Sequence, residues 1–296
     1  MVGAYMMERQ YKGIDTNYIQ VPDKNWAVRG FTDFSGYSIR GNGVFEGRDY
    51  SVDLHTPFIV KQGFGVTWRS ITVAASFDLI GNPKNHFTVG LNSRGRKLGY
   101  EILYKRDKNY SGTQTFDGVV TKFPVGSLNQ MSLTADVCYV FNGEHFSYPA
   151  VFNQNRIQRR SAGSVIAAVS ANLFGTRSLL LTGNGSTPLS FGGFTMGIGA
   201  GYGYNFVAGR WTFHVSCIPS LVIIDRNRIA LDGVEQRLNY QIFHFITTGN
   251  VAVVYNHRQF FASLRVFFHN CTTGNAKELK INYRRINGRL GLGWRF

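Results

Sequence analysis

The sequence predicts an all-β fold, an antiparallel transmembrane β-barrel of the bacterial outer-membrane type, with about 12 strands in a range of roughly 10–14. Three observations predict it. Side-chain character alternates with a period of two along run after run, as on a strand whose successive side chains point to opposite faces. The best runs reach the roughly 9–11 residues that a tilted strand needs to cross a bilayer, longer than most strands of soluble proteins. Linkers in the C-terminal half alternate between tight and long, and barrels of this type keep short turns in the periplasm and long loops outside.

Composition agrees. Aromatic residues make up 15% of the 296 residues, with 34 glycines and only 7 prolines, a mix that suits many strands better than bundled helices. No stretch approaches the roughly 18 apolar residues of a spanning helix, so a closed barrel is the remaining way across a membrane. Met1 to Gln10 lacks the basic and apolar regions of a secretory signal, so the expectation is an exported chain whose start is mature or truncated. Cys138, Cys217 and Cys271 lie at spacings that match no zinc or redox motif, and read as incidental.

Along the chain, residues 1–25 read as a periplasmic leader or plug segment, and 26–296 as the barrel. Within the leader, Tyr5 to Lys24 holds Asp15-Thr-Asn-Tyr-Ile19 and a proline, which suits a strap or a plug at the barrel mouth. The alternating runs are Trp26–Thr32, Tyr50–His55, Phe64–Arg69, Ile71–Leu79, Phe87–Asn92, Leu98–Lys105, Met131–Phe141, Val165–Phe174, Phe194–Phe206, Trp211–Cys217, Phe243–Tyr255, Phe260–His269 and Ile286–Phe296. A barrel with both ends on one side needs an even number. Either the weak run Tyr50–His55 lies off the wall, or the polar stretch His145–Arg160 hides another strand. Val207–Arg210 and Asn256–Arg258 are the tight linkers; 175–193, 219–241 and 270–279 read as long loops.

In the last run, Leu290, Leu292 and Trp294 share the face expected against lipid, and Arg289 and Arg295 share the face expected inside. Trp294 and Phe296 are expected to close the barrel against Trp26–Thr32. A C-terminal aromatic on a final amphipathic strand also resembles the signal read by the barrel-assembly machinery. His145–Arg160, with Pro149 and Arg156, Arg159 and Arg160, makes a poor lipid-facing strand. It is expected to fold into the lumen or against a rim, its arginines on acidic or carbonyl oxygens.

The net charge of +15 would suggest nucleic acid as partner for a soluble protein. Here the 32 basic residues are scattered singly through alternating strands, so no nucleic-acid partner is expected and arginines are assigned to a wet lumen or to lipid phosphates at the rim. The lumen-facing charged candidates are Arg69, Asp78, Glu101, Lys105, Asp136, Arg265, Arg289 and Arg295. Their basic excess would favour anions in an open bore, although a barrel of this size is narrow enough for side chains to fill.

Chemistry-bearing motifs are sparse. Gly197-Ile-Gly-Ala-Gly-Tyr-Gly203 places its glycines two apart on one strand face, which suits room for an inserted loop or a large neighbour rather than a phosphate cradle. His214 and Ser216 share one polar strand face, and Ser263, Arg265 and His269 share another, without a nucleophile motif around them. The 7 histidines show no metal-binding cluster. No catalytic residue, cofactor or metal is therefore expected, and outer-membrane lipids, the assembly machinery and envelope proteins are the expected partners. Two other readings remain open: an outer-membrane enzyme acting on lipid or polysaccharide, and a soluble β-barrel or sandwich binding protein. The latter would have to bury about 13 apolar faces in one core.

Three blocks carry a resemblance: Asn92-Ser-Arg-Gly-Arg-Lys-Leu-Gly-Tyr-Glu-Ile-Leu-Tyr104, Tyr139-Val-Phe-Asn-Gly-Glu-His-Phe-Ser-Tyr-Pro-Ala150 and Gln158-Arg-Arg-Ser-Ala-Gly-Ser164. With Asp15–Ile19, Leu238–Phe245 and the closing Gly293-Trp-Arg-Phe296, they resemble the Bacteroidota-type family known as domain of unknown function 4421. The resemblance covers most of the chain and implies an exported envelope protein of the outer membrane. It implies no activity and no site residues, and the N-terminus departs from it in lacking the expected signal peptide.

Overall fold

A strand in hydrocarbon must pair every backbone N–H and C=O, which an open sheet cannot do and a closed one can. The computed structural model describes residues 12–45, 47–78, 86–108, 110–123, 128–182, 185–231, 233–238, 244–275 and 278–296. Its elements are β1 (Ile19–Gln20), β2 (Trp26–Phe45), β3 (Arg48–His55), β4 (Ile59–Trp68), β5 (Ile71–Asp78), β6 (Phe87–Arg94), β7 (Leu98–Asp107), β8 (Ser111–Phe116), β9 (Val119–Phe123) and β10 (Asn129–Val140). There follow helix α1 (Pro149–Phe152), then β11 (Ile157–Gln158), β12 (Ala162–Thr182), β13 (Gly185–Ala208), β14 (Trp211–Leu231), β15 (Val234–Leu238), β16 (Phe245–His257), β17 (Phe260–Asn275) and β18 (Leu279–Arg295).

The wall is a ring of 12 antiparallel strands, β2, β4, β5, β6, β7, β10, β12, β13, β14, β16, β17 and β18, closed where β18 pairs back onto β2 from Leu279↔Gly43 to Arg295↔Ala27. Phe296 and Trp26 extend the seam, each backbone N–H donating to the other's carbonyl at 2.9 and 3.2 Å. The run that breaks the even count is Tyr50–His55. It lies in β3, which continues β4 upward along the same edge of β2 after an interruption at Thr56, Pro57 and Phe58. Pro57 has no N–H for the ladder, while Thr56 keeps β2 engaged through Thr56 N–H to Tyr37 O (2.9 Å) and Tyr37 N–H to Thr56 Oγ1 (3.1 Å). Above the short β5–β6 hairpin, β8 pairs with β3.

The long linkers are a second correction. Pairing runs up to Thr182↔Gly185, Leu231↔Val234 and Asn275↔Leu279, so 175–193, much of 219–241 and 270–279 are tall hairpins rather than loops. Ser and Thr in 175–193 and 270–279, and charged residues such as Asp225, Arg226 and Arg228 in 219–241, hide the apolar alternation, but a polar side chain does not stop the backbone from joining a ladder. The start of the run at Phe243, and Leu79, lie outside the described residues.

The tight turns at 69–70, 209–210 and 258–259, the last strand's end and the start of β2 all lie at one end, the periplasmic end of this architecture. Gly209 sits there at φ 59°, a conformation glycine adopts without strain. The outer face is apolar: Leu290, Leu292 and Trp294 are 51%, 55% and 49% exposed, while Arg295 is 2% exposed and points inward. Aromatics mark both edges of this belt. Trp26 packs on Trp68 and Trp211 on Tyr255 near the tight turns; Phe34 packs on Phe58 and Phe87 on Tyr104 higher up. Substituting Leu290→Arg near mid-belt should lower stability by about 2–4 kcal/mol in vesicle-based urea unfolding; a negligible change would place Leu290 away from lipid.

Candidate functional site: a stoppered, cation-lined bore

One periplasmic connection is not tight. Residues 141–161, between β10 and β12, turn up into the barrel mouth. Pro149, whose fixed φ suits the first helical position, starts the single turn α1, and all four of its residues are buried. Phe146, Tyr148 and Phe152 stand around the His214 ring of β14, with ring centroids 6.1, 5.6 and 5.4 Å from it. The lumenal glycines of β13 make the space: a Cβ at Gly203 would stand 3.1 Å from Phe146 Cζ and 3.0 Å from Ile166 Cδ1.

Polar bonds fasten this plug around the ring. On one side Asn153 Nδ2 donates to Asn92 Oδ1 (2.7 Å) and Thr72 Oγ1 (3.0 Å), while Arg94 Nη1 donates to Asn153 Oδ1 (3.2 Å). Near the seam, Arg29 Nη1 donates to Phe152 O (2.8 Å) and Gln154 Oε1 (2.9 Å), and Arg295 Nε donates to Gln154 O (2.7 Å). Opposite, Asn205 Nδ2 donates to Ser147 O and Gln158 Oε1, both at 3.0 Å. Each buried amide thus satisfies plug and wall at once, and removing one strands its partners. Asn153→Ala should cost about 1–3 kcal/mol, read as a lower unfolding midpoint of the heat-modifiable form; an unchanged midpoint would mean that the plug is not held there.

The described part of the leader lies beneath this plug. β1 pairs with β11 through Ile19↔Gln158 and Gln20↔Ile157, and Ile19 is fully buried. The Asn17 backbone N–H bonds Asp15 Oδ1 (2.9 Å) and holds that carboxyl below the usual carboxylate range, 3.3 Å from His145 Nε2. Arg159 donates to the Gln20 side-chain carbonyl at 3.1 and 3.2 Å, and Arg160 stacks over Tyr18. Arg156 is buried within the plug.

The sequence-derived lumen residues fall into four places. Glu101, Lys105, Asp136, Arg265 and Arg289 line a chamber of about 310 Å³ above the plug. Arg295 points inward lower down, against the plug, and Asp78 shares the inner face with its cross-strand partner Lys61. Arg69 is not in the bore: it forms the β4–β5 turn at φ 52°, with its guanidinium over the Trp68 ring at 5.4 Å. A residue at a turn leaves the period-two pattern, which is why alternation misplaces it.

The chamber also holds residues beyond those that alternation points to: Arg29, Asp33, Tyr37, Lys61, Arg94 and Arg285. Asp33 receives both Arg289 Nε (2.6 Å) and Nη2 (2.8 Å), and Arg94 pairs with Glu101. Lys61 and Lys105 approach Asp107 at 4.0 and 3.3 Å. Extending the Trp26–Thr32 and Ile286–Phe296 alternation by a few residues would have reached Asp33, Tyr37 and Arg285. His214 and Ser216 do come together. Asn205 Nδ2 is committed to the plug, so its Oδ1 accepts from His214 Nδ1–H (2.7 Å), leaving Nε2 to accept from the Ser216 hydroxyl (3.0 Å). Ser263, Arg265 and His269 stay strung along β17, and His269 meets Thr248 instead, at 3.4 Å. Among the described residues no three His, Cys, Asp or Glu side chains gather as a metal site.

Against known proteins, the family model described as Domain of unknown function (DUF4421) matches residues 13–296. No curated protein matches significantly. Among solved structures, the chain is similar to the outer membrane protease OmpT from Escherichia coli, at 9% identity and TM-score 0.47, covering 93% of this chain and 97% of that one. It is similar too to the transport unit of the autotransporter AIDA-I from Escherichia coli, at 11% identity and TM-score 0.41, covering 99% and 98%. The translocator domain of the autotransporter NalP from Neisseria meningitidis follows at 13% identity and TM-score 0.35, covering 100% and 96%. No residue role is carried over from them.

Proposed function

From the premise that this chain belongs to the family described as domain of unknown function (DUF4421), we propose that it is an outer-membrane barrel that conducts nothing in its resting form. Its role is that of an envelope scaffold with a stoppered, basic chamber. The single observation behind this reading is the plug of residues 146–158, bonded to β2, β6, β13 and β18 around the mouth. A basic bore by itself suits an anion pore; a bore crossed by buried, mutually satisfied amides suits a closed vessel. Its partners are then outer-membrane lipids, the barrel-assembly machinery and other envelope proteins at the periplasmic face where β1 lies. Proteoliposomes carrying the protein should swell no faster than empty liposomes in arabinose or small-anion solutions; fast swelling would return the pore reading.

One observation favours a second reading, an enzyme acting on lipid or polysaccharide. Ser216, His214 and Asn205 stand in the hydrogen-bonding order of a nucleophile, its base and an orienting group. In this closed state Phe146, Tyr148 and Phe152 surround the imidazole, and Ser216 is buried. A fluorophosphonate that labels the wild type and not Ser216→Ala would support the enzyme; no labelling would remove it.

A further inference from the structure

We infer that the chamber above the plug binds an amphiphilic anion, a phosphate-like head carrying a hydrocarbon tail, with the head seated between Arg265 and Arg285. This rests on the reading of a barrel closed at its periplasmic end, which gives the chamber a floor.

Seven cations and three carboxylates line the chamber. Arg94 is matched by Glu101, Arg289 by Asp33, and Lys61 and Lys105 share Asp107. Arg29 is spent on the plug's neutral oxygens. Asp107 lies beside the lining, and Asp136, the third lining carboxylate, stands in no ion pair among the described residues; Arg265 and Arg285 have no carboxylate within 4 Å among the described residues, and the Nε of each is buried without a hydrogen-bond partner. Each lies over a ring instead, Arg265 over Phe152 at 5.2 Å and Arg285 over Phe267 at 4.8 Å. They are neighbours: Phe267 follows Arg265 on the inner face of β17, and Arg285 is the cross-strand partner of His269, the next inner residue up. Across the seam, Arg285 pairs in register with Tyr37. That tyrosine is 3% exposed, and its hydroxyl has no hydrogen-bond partner although it lines the chamber. Lys105 Nζ stands 4.3 Å from the Tyr37 ring centroid. Two guanidiniums without a carboxylate in contact and an idle buried hydroxyl on one patch of wall are the donors that a tetrahedral oxyanion takes up, and an anion there would supply the missing acceptors.

The chemistry changes above this patch. Leu54, Leu128, Ile229, Ile246 and Leu279, all buried and all lining the same chamber, form an apolar upper wall. A bare anion would leave that wall against water, and an uncharged hydrocarbon would leave the guanidiniums unpaired. A ligand with both parts fits both levels, and a chamber of about 310 Å³ lies at the small end of ordinary ligand pockets.

Calorimetric titration of the whole protein, held in amphipathic polymer, tests this with dodecyl phosphate, inorganic phosphate, dodecanol and dodecyltrimethylammonium as probes. Dodecyl phosphate should bind one to one, with inorganic phosphate and dodecanol each at least about tenfold weaker and the cationic amphiphile showing no saturable binding. Arg265→Gln and Arg285→Gln should each weaken dodecyl phosphate by about tenfold while leaving heat-modifiable migration intact. Ile281 lines the same chamber two residues from Leu279 on β18; Ile281→Trp, which narrows the apolar wall without replacing a guanidinium, should weaken dodecyl phosphate and spare inorganic phosphate. Equal affinity for phosphate and dodecyl phosphate, equal affinity for dodecanol, or unchanged binding in folded Arg variants would each overturn the proposal. Swelling of proteoliposomes in arabinose would instead count against the closed barrel, whatever the calorimetry gave.

Discussion

Replacing residues 143–160 with a short glycine-containing turn is expected to convert a silent barrel into an open pore that favours anions. The plug contributes no wall strand, so the ring of ladders from β18 to β2 survives its removal. What disappears is the cross-bore network: Asn153 no longer bridges Asn92 and Thr72, and Gln154 no longer joins Arg29 to Arg295. Arg29, Arg94, Arg265 and Arg295 then face water in the bore without plug partners, and a ring of cations with few counter-charges lowers the barrier for chloride relative to potassium. Single-channel recording under a salt gradient reads both changes, as current steps absent from the wild type and as a reversal potential shifted toward that of chloride. Heat-modifiable migration of the variant shows that the barrel still closes. A correctly folded, plugless barrel that stays silent would mean that something other than residues 143–160 seals the bore.

Deleting Trp294 to Phe296 should abolish the folded barrel. Those residues carry the lower end of the seam: Trp294 pairs with Val28 on one side and Phe260 on the other, Arg295 with Ala27, and Phe296 exchanges backbone bonds with Trp26. Without them Trp26, Val28 and Gln259 turn unpaired backbone groups toward the lipid edge, at several kcal/mol each. Arg295 is also lost as a tie between Gln154 and Asn256. The expected outcome is complete loss of the heat-modifiable band, in vesicles and in cells alike. The point substitution Phe296→Ala separates closure from recognition. It keeps the backbone of the seam, so refolding in vesicles should be near normal, while insertion by the assembly machinery in cells should fall sharply. Full heat-modifiability of the truncated chain would show that the seam closes without its last residues.

The sequence announced the barrel because lipid contact is one-sided. In Ile286–Phe296 and Met131–Phe141 every second residue had to be apolar, and the period of two survives without knowledge of partners. The plug was legible for the opposite reason: Pro149 and three arginines in 16 residues cannot face hydrocarbon, so that stretch had to go elsewhere. Periodicity fails where lipid no longer dictates it. The tall hairpins stand above the hydrocarbon, so Ser178, Thr187 and Ser190 pair in ladders without an apolar face. Tyr50–His55 alternates like a wall strand because it continues β4, and only Pro57 marks the break. Within the bore the sequence located charges but not their matching. That Arg289 meets Asp33, 256 residues away, while Arg265 meets only an aromatic ring, depends on the register across the seam.

Closure of this barrel by its own periplasmic connection is what separates a stoppered scaffold from a pore. Planar-bilayer recording of the intact, heat-modifiable protein tests it most directly, at several hundred millivolts of either polarity and in high salt. The wild type should give a flat baseline, with current steps only when the plug is cut out. A stable, anion-selective current from the intact protein would contradict it.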